Sequence, residues 1–325
     1  MPPPPPPAAA TSDPVTGPGC VLALDVGGTG MKGAVLDRGL RAASVLRRPT
    51  PRAAGPDAVV EEIAAALDAL HGLARDRGMP VRAAGVVVPG IVDETAGRAV
   101  RAVNIGWRDL PLAALLEERT RGPVALGHDV RAGSLAETVA GAGRGARDVL
   151  FVALGTGVAS AVVGDGRVVS AGGHAGELGH VVVEPGGARC ACGGRGCLET
   201  VASAAAVAAA YTARSGRAVE GAAAVAALVA RGDRVAREVW ERAADALAAA
   251  LATATTLLGT ELIVLGGGLA RAGGLLLDPV REGLARRLTF QRPPAVTGAA
   301  FGDRAGCVGA GVLAWRRADA GAVAA

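Results

Sequence analysis

Twice in this chain an apolar strand runs into a short glycine turn and straight out into a second strand, and this repeat restricts the fold more than any other feature. The first copy is GCVLALDVGGTGMKGAVLD, from Gly19 to Asp37, which turns at Gly27–Gly30. The second is DVLFVALGTGVASAVVGDGRVVSAG, from Asp148 to Gly172, which turns at Gly155, Thr156 and Gly157 and then adds a third strand. A dinucleotide or Walker-type glycine loop must lead from a strand into a helix, so a strand on both sides of the first turn removes support for both designs. Two such units separated by helical sequence fit two similar α/β domains that face each other across a cleft.

The intervening segments have helical periodicity. PDAVVEEIAAALDALHGLARDR over 56–77 places apolar residues at helical spacing, and RVAREVWERAADALAAALATATTLLG over 234–259 predicts a longer, alanine-rich helix. Near the end, ELIVLGGGLA predicts a short buried strand before Gly266, Gly267 and Gly268, with a helix expected after Pro279. That glycine run does not complete G-x-G-x-x-G, because Arg271 stands in place of the third glycine.

The composition narrows the partners. A net charge of +4 comes from arginines interspersed with acids, without a basic run carrying aromatics, so no nucleic-acid partner is expected. The longest charge-free apolar stretch, VLFVALGTGVASAVVG, is too short and glycine-rich for a membrane span. The first 19 residues, MPPPPPPAAATSDPVTGPG, lack a basic leader and an apolar core and read as a disordered, partly polyproline tail. A cytoplasmic, reducing location follows, where closely spaced cysteines bind metal or do redox work more often than they form disulfides.

Three of the five cysteines fall within HVVVEPGGARCACGGRGCLE. His180, Cys190, Cys192 and Cys197 supply one imidazole and three thiols, enough for a closed tetrahedral zinc site, with unligated thiols as the alternative. Cys20 and Cys307 read as small buried residues. Asp25 ahead of the first turn has two readings: an ordinary hairpin, or a carboxylate that holds Mg²⁺ through water while turn N–H groups face phosphate. Asp129, between a short strand and a helix, is a helix N-cap or a general base. His128 and His174 read as ordinary hydrogen-bonding residues. Glu177 and Glu199, flanking the cysteines, are solvated acids or acceptors for sugar hydroxyls.

Taken in order, these residues resemble the ROK sugar kinases (repressors, open reading frames and kinases), whose best-known enzymes are bacterial ATP-dependent glucokinases. The resemblance covers most of residues 20–315, and its most specific part is ELGHVVVEPGGARCACGGRGCLE, similar to the family's E-x-G-H followed by C-x-C-G-x-x-G-C-x-E. It implies an actin-like, ribonuclease-H-like fold with two α/β domains and a cleft between them. On that reading 20–130 forms the N-terminal domain, completed by a C-terminal helix at 306–320, and 131–305 forms a larger domain with the zinc-binding loop. It implies His180, Cys190, Cys192 and Cys197 as structural Zn²⁺ ligands, Asp129 as catalytic base, and Glu177, His180 and Glu199 beside the sugar, with Gly90, Asn104 and His128 on the same side. Asp25, Gly27, Gly28, Thr29 and Lys32, with Gly155, Thr156 and Gly157, match its phosphate loops, and Gly266, Gly267 and Gly268 lie near adenosine. A hexose, ATP and Mg²⁺ are the implied ligands, and a dimer or tetramer the implied assembly. Family repressors carry a DNA-binding module ahead of the kinase-like body, for which the Pro/Ala-rich start leaves no room. One departure concerns the sugar: the residue before the catalytic aspartate is usually asparagine in the glucokinases, and here it is His128. Fructose, mannose, allose or an N-acetylated hexosamine would use the same machinery.

Overall fold

In the computed structural model, residues 19–323 are described. The first half comprises β1 (Cys20–Val26), β2 (Gly30–Leu36), β3 (Ala42–Pro49), α1 (Pro56–Arg75), β4 (Val81–Val88), β5 (Ile91–Asp93), β6 (Arg98–Ala102), β7 (Trp107–Leu110), α2 (Leu112–Thr120) and β8 (Val124–His128). Then α3 (Asp129–Ala140) leads into β9 (Val149–Leu154), β10 (Val158–Gly164) and β11 (Arg167–Val168). After a long loop come α4 (Glu199–Ala202), α5 (Ala204–Ser215), α6 (Gly221–Ala230), α7 (Arg234–Leu258), β12 (Leu262–Gly266), α8 (Gly267–Ala270), α9 (Gly274–Ala285), β13 (Ala295–Gly298) and α10 (Ala305–Val323).

The repeat seen in the sequence is a repeat of topology. One sheet has the order β3-β2-β1-β4-β8 and the other β11-β10-β9-β12-β13. In each, the first strand pairs antiparallel with the next across the glycine turn, and parallel with the strand on its other side. A small third sheet, β5-β6-β7, is inserted after β4.

Both faces of the first sheet are covered. Leu22, Leu24 and Val26 point to the α1 and α2 side, where Ile63, Leu67, Leu70 and Leu116 close the core. The alternate residues Val21 and Ala23 meet Cys307, Ala310 and Ala314 of α10, so the last helix of the chain packs on the first sheet. Small residues permit that approach: a Cβ on Gly85 would lie 1.9 Å from Ala310 O, and one on Gly309 2.0 Å from Ala132 O. On the second sheet, Leu150, Val152 and Leu154 pack beneath α5, α7 and α9, and Phe151 faces α3, where it meets Gly133. Helices α3 and α10 therefore lie between the sheets.

The helix near Pro279 differs from the sequence expectation. It begins at Gly274 and contains Pro279 in its interior, rather than starting after it. Proline lacks the N–H that Leu275 O would accept in an α-helix. Trp240 of α7 supplies the missing donor, its Nε1 lying 3.0 Å from Leu275 O. The other two tryptophans also donate to main-chain carbonyls: Trp107 to Pro56 O at 3.1 Å and Trp315 to Asp37 O at 3.0 Å.

Candidate active site

Asp129 is the first residue of α3, so its carboxyl sits where β8 ends and the interdomain helix begins. It is not the cap. His128 caps α3 instead, its Nδ1 accepting the Arg131 N–H at 3.4 Å. Burial and the neighbouring Arg131 charge push the His128 imidazole down to about 3, so the ring is neutral. With Nδ1 accepting, the proton belongs on Nε2, which lies 3.4 Å from Asp129 Oδ1. That same oxygen accepts the Val130 N–H at 2.7 Å. Burial, reinforced by the negative charge of Asp25, pushes the Asp129 carboxyl up to about 7.

Around Asp129 opens a cleft of about 600 Å³, lined by Gly90, Asn104, His128, Glu177, His180 and Glu199 among others. All six sugar-side positions named from the sequence meet there. They come from both lobes: Gly90 and Asn104 flank β5 and β6, while Glu177, His180 and Glu199 belong to the loop between β11 and α4 and to α4 itself. Gly90 serves the backbone, since its φ is +99° and a Cβ would lie 2.2 Å from Arg101 O. Glu199 is held by the Val158 N–H, which donates to Oε2 at 2.9 Å, and a Cβ on Gly157 would come within 2.4 Å of that oxygen. The glycine of the second turn thus makes room for a cleft carboxylate.

Asp25, Gly27, Thr29 and Lys32 line a second depression with Arg47 and Arg48. Asp25 and Lys32 are cross-strand partners, and the Gly27 N–H donates to Gly30 O at 3.0 Å to close the turn. Gly28, in the same turn, has open space where a Cβ would be. Burial pushes the Asp25 carboxyl up to about 6, with Lys32 opposing and Asp303 adding to the rise. Lys32 Nζ donates to Asp303 O at 2.8 Å. Asp303, which the sequence reading did not single out, therefore shares this site.

Gly155, Thr156 and Gly157 form the matching turn of the second sheet, with Thr156 exposed. Gly266 ends β12, and Gly267 and Gly268 open α8. Gly267 has φ +83°, and a Cβ there would lie 2.4 Å from Leu154 O, so this run abuts the strand that leads into the second turn. Gly268 faces open space.

His180, Cys190, Cys192 and Cys197 form a single cluster whose donor atoms all lie within 4.8 Å of one another. Cys190 Sγ is 3.7 Å from His180 Nδ1, and Cys192 Sγ is 3.7 Å from Cys197 Sγ. A tetrahedral zinc with ordinary Zn–S bonds needs sulfur separations of about 3.8 Å, so the donor set fits that ion. With Nδ1 facing the thiols, His180 Nε2 points toward Glu177 Oε2 at 3.9 Å. One imidazole thus joins the metal cluster to the cleft. His174 is not among the lining residues of the cleft, although neighbouring Ala175 and Gly176 are.

Two acids that sequence reasoning missed tie this floor to the segments around it. Glu94 pairs with buried Arg131. Glu137 is fully buried and accepts three backbone N–H groups, from Ala142, Ala300 and Phe301, which ties α3 to the loop before α10.

The ROK family profile matches residues 21–317. The chain belongs to the ROK family. It is 36% identical over 313 residues to a glucokinase of Halalkalibacterium halodurans, covering 90% of this chain and 94% of that one. It is 33% identical to an N-acetylmannosamine kinase of Citrobacter koseri, covering 90% and 98%. Among solved structures, a ROK hexokinase from Thermus thermophilus superposes with a TM-score of 0.81 at 34% identity, covering 93% of this chain and 99% of the other. A glucokinase of Streptomyces griseus, in complex with glucose and AMPPNP, gives 0.76 at 31%, covering 92% and 100%. The fold is accordingly the actin-like ATPase fold of this family. No helix among the described residues is long and apolar enough to cross a membrane.

Proposed function

We propose that this protein is an ATP-dependent sugar kinase, with glucose as the first candidate substrate and Asp129 as the general base. The observation that carries the reading is one carboxyl, raised to about 7, on the floor of a cleft whose other polar groups converge from both lobes. Asp129 Oδ1 is engaged by Val130 and faces His128, which leaves Oδ2 to take the proton of the sugar hydroxyl. The hydroxyl oxygen then forms its bond to the γ-phosphorus in line with the breaking bond to the bridging oxygen, and ADP departs with that electron pair. Glu177 and Glu199 accept hydrogen bonds from other sugar hydroxyls and fix the reacting one.

The glycine turns at Gly27–Gly30 and Gly155–Gly157, with Lys32, are assigned to the phosphates, and Gly266–Gly268 to the nucleoside end. Asp25 is the acid that would hold Mg²⁺ through water, which supplies charge neutralisation to the phosphates when bound. His180, Cys190, Cys192 and Cys197 would hold Zn²⁺, which when bound braces the loop that presents Glu177. The reading includes a cytoplasmic location and a homo-oligomer. Leu257 and Phe290, strongly exposed on segments joined by the Gln291–Thr256 hydrogen bond, support the latter, and sedimentation tests it.

His128 favours a second substrate class. The fixed Nε2–H is a donor only, which suits the carbonyl of an N-acetylated hexosamine where an amide side chain would offer both a donor and an acceptor. ADP release by zinc-replete protein with Mg-ATP, across hexoses and N-acetylhexosamines, tests both readings. Turnover of one sugar by the wild type and not by Asp129→Asn is the expected result; sugar binding by calorimetry without turnover would make the protein a sensor.

A further inference from the structure

The cleft floor is joined to its wall by a charged pair with no part in the transfer itself. Arg131, two residues past Asp129, is 2% exposed and reaches out of α3 to the strand β5. Its Nε donates to Glu94 Oε1 at 3.0 Å and its Nη2 to Val92 O at 3.2 Å. The same Glu94 oxygen accepts the His128 N–H at 3.1 Å, and the Arg131 N–H goes to His128 Nδ1 at 3.4 Å. Glu94 thus holds the backbone of His128, and the main chain of Arg131, whose side chain is anchored in the pair, holds the ring.

The strand on the far side of these bonds is the wall of the sugar cleft. Ile91 pairs with Arg101, and both line the cleft with Gly90 and Asn104. The second lobe presses on the same strand, because a Cβ on Gly173 would lie 3.0 Å from Ile91 Cγ2 and 3.1 Å from Val92 O. The pair therefore stands where α3, the wall and the opposite lobe meet. A buried ion pair is a weak source of stability, since apolar residues of similar volume often serve as well or better. Stability is then a poor reason to keep a guanidinium here, whereas geometry is a good one.

We propose that Glu94 and Arg131 are positioning residues that fix the Asp129 carboxyl and the His128 ring relative to the sugar-binding wall. The inference rests on the assignment of Asp129 as the base. The Asp129 carboxyl takes its direction from the first turn of α3 through Val130, and that turn is what the pair holds against β5. A reacting hydroxyl seated on the wall meets the base at the right distance only while this link is intact.

The test uses the full chain with the sugar that the panel selects. Glu94→Gln keeps an acceptor for the His128 N–H and removes the charge; Arg131→Met keeps the length and removes charge and donors; the double variant leaves no unpaired charge. Turnover is measured well below each variant's Tm, with Asp129→Asn alongside. Each single change is expected to lower kcat by about tenfold to a hundredfold, the cost of a displaced catalytic group, with KM for ATP unchanged. The double variant is expected to regain Tm relative to Arg131→Met and to keep the low kcat. Recovery of kcat in step with Tm, or wild-type kcat in either folded single variant, overturns the proposal. Should Arg131→Met fail to fold, Glu94→Gln and the double variant decide it. Retained turnover in Asp129→Asn refutes the base instead and is seen independently of the pair.

Discussion

The two five-stranded sheets share one strand order and differ in what stands at the strand ends. On the first sheet, β1 carries Asp25 next to its last residue, and β8 runs directly into Asp129. On the second, the equivalent of β1 is β9, which ends at Leu154 ahead of Gly155, and the equivalent of β4 is β12, which runs into Gly266, Gly267 and Gly268. One lobe supplies carboxylates whose proton affinity is raised by burial; the other supplies bare backbone and lends its side chains from the loop between β11 and α4. The repeated topology thus carries a divided chemistry, and each half of that division can be broken separately.

The largest effect is expected on the acidic lobe. Asp129→Asn should lower kcat by about 10²- to 10⁴-fold, the usual worth of a general base, with sugar affinity by calorimetry little changed. On the other lobe, stripping metal from the cysteine cluster should weaken sugar affinity about 10- to 100-fold, the range seen when groups that orient a site are lost, while nucleotide binding persists. Equal loss of both ligands would show that the loop supports the whole lobe.

Gly157→Ala sharpens the comparison, because its methyl would collide with the Glu199 carboxylate rather than with phosphate-facing backbone. KM for the sugar should rise by about tenfold with KM for ATP held, as expected of a displaced positioning group. A rise for ATP alone would show that this glycine acts through the phosphate turn and not through Glu199.

The acidic lobe also predicts opposite slopes for activity and stability. As the proposed base, Asp129 has to be ionised, so kcat/KM should fall as pH drops below about 7. The folded values of Asp25 and Asp129, about 6 and about 7, exceed the ordinary 3.8. Their contribution to stability is therefore full below 3.8 and lost as pH rises through 6 and 7. Thermal melts of the ligand-free protein across that window check the sign, and Asp25→Asn should flatten part of the slope.

The smallest effect lies far from either set of strand ends. Trp240→Phe removes the donor to Leu275 O and should cost about 1 kcal/mol, the net worth of one hydrogen bond, with kcat unchanged.

What the sequence disclosed was local. The two glycine turns, the cysteine cluster and the acid at the head of α3 each lie within one short segment of chain, so their spacing speaks for them. Glu94 with Arg131, Asp303 with Lys32, and Glu137 with the loop before α10 are joined only when distant segments fold together. A faint signal for two of these exists in DVRAGSLAETVA. Between Arg131 and Glu137 it holds only small or apolar residues, and the helix is buried from Arg131 to Glu137. Such a helix leaves its charged residues no route to water, so each must find a partner inside. The helix expected after Pro279 begins earlier, at Gly274, because the donor that proline lacks comes from another helix, which a rule about proline in isolation does not contain.

The three indoles that donate to main-chain carbonyls also make the protein its own spectrometer. Trp107 sits buried on β7, paired with Ala102 of the cleft wall, Trp240 in the second lobe, and Trp315 on the helix that returns to the first sheet, beneath the Arg38 guanidinium 4.7 Å from its ring centroid. As these are the only tryptophans in the chain, variants that keep one at a time would give separate emission signals for the small sheet behind the cleft wall, the second lobe and the returning helix. Closure of the cleft on a sugar and loosening of either lobe could then be timed independently, without an attached dye.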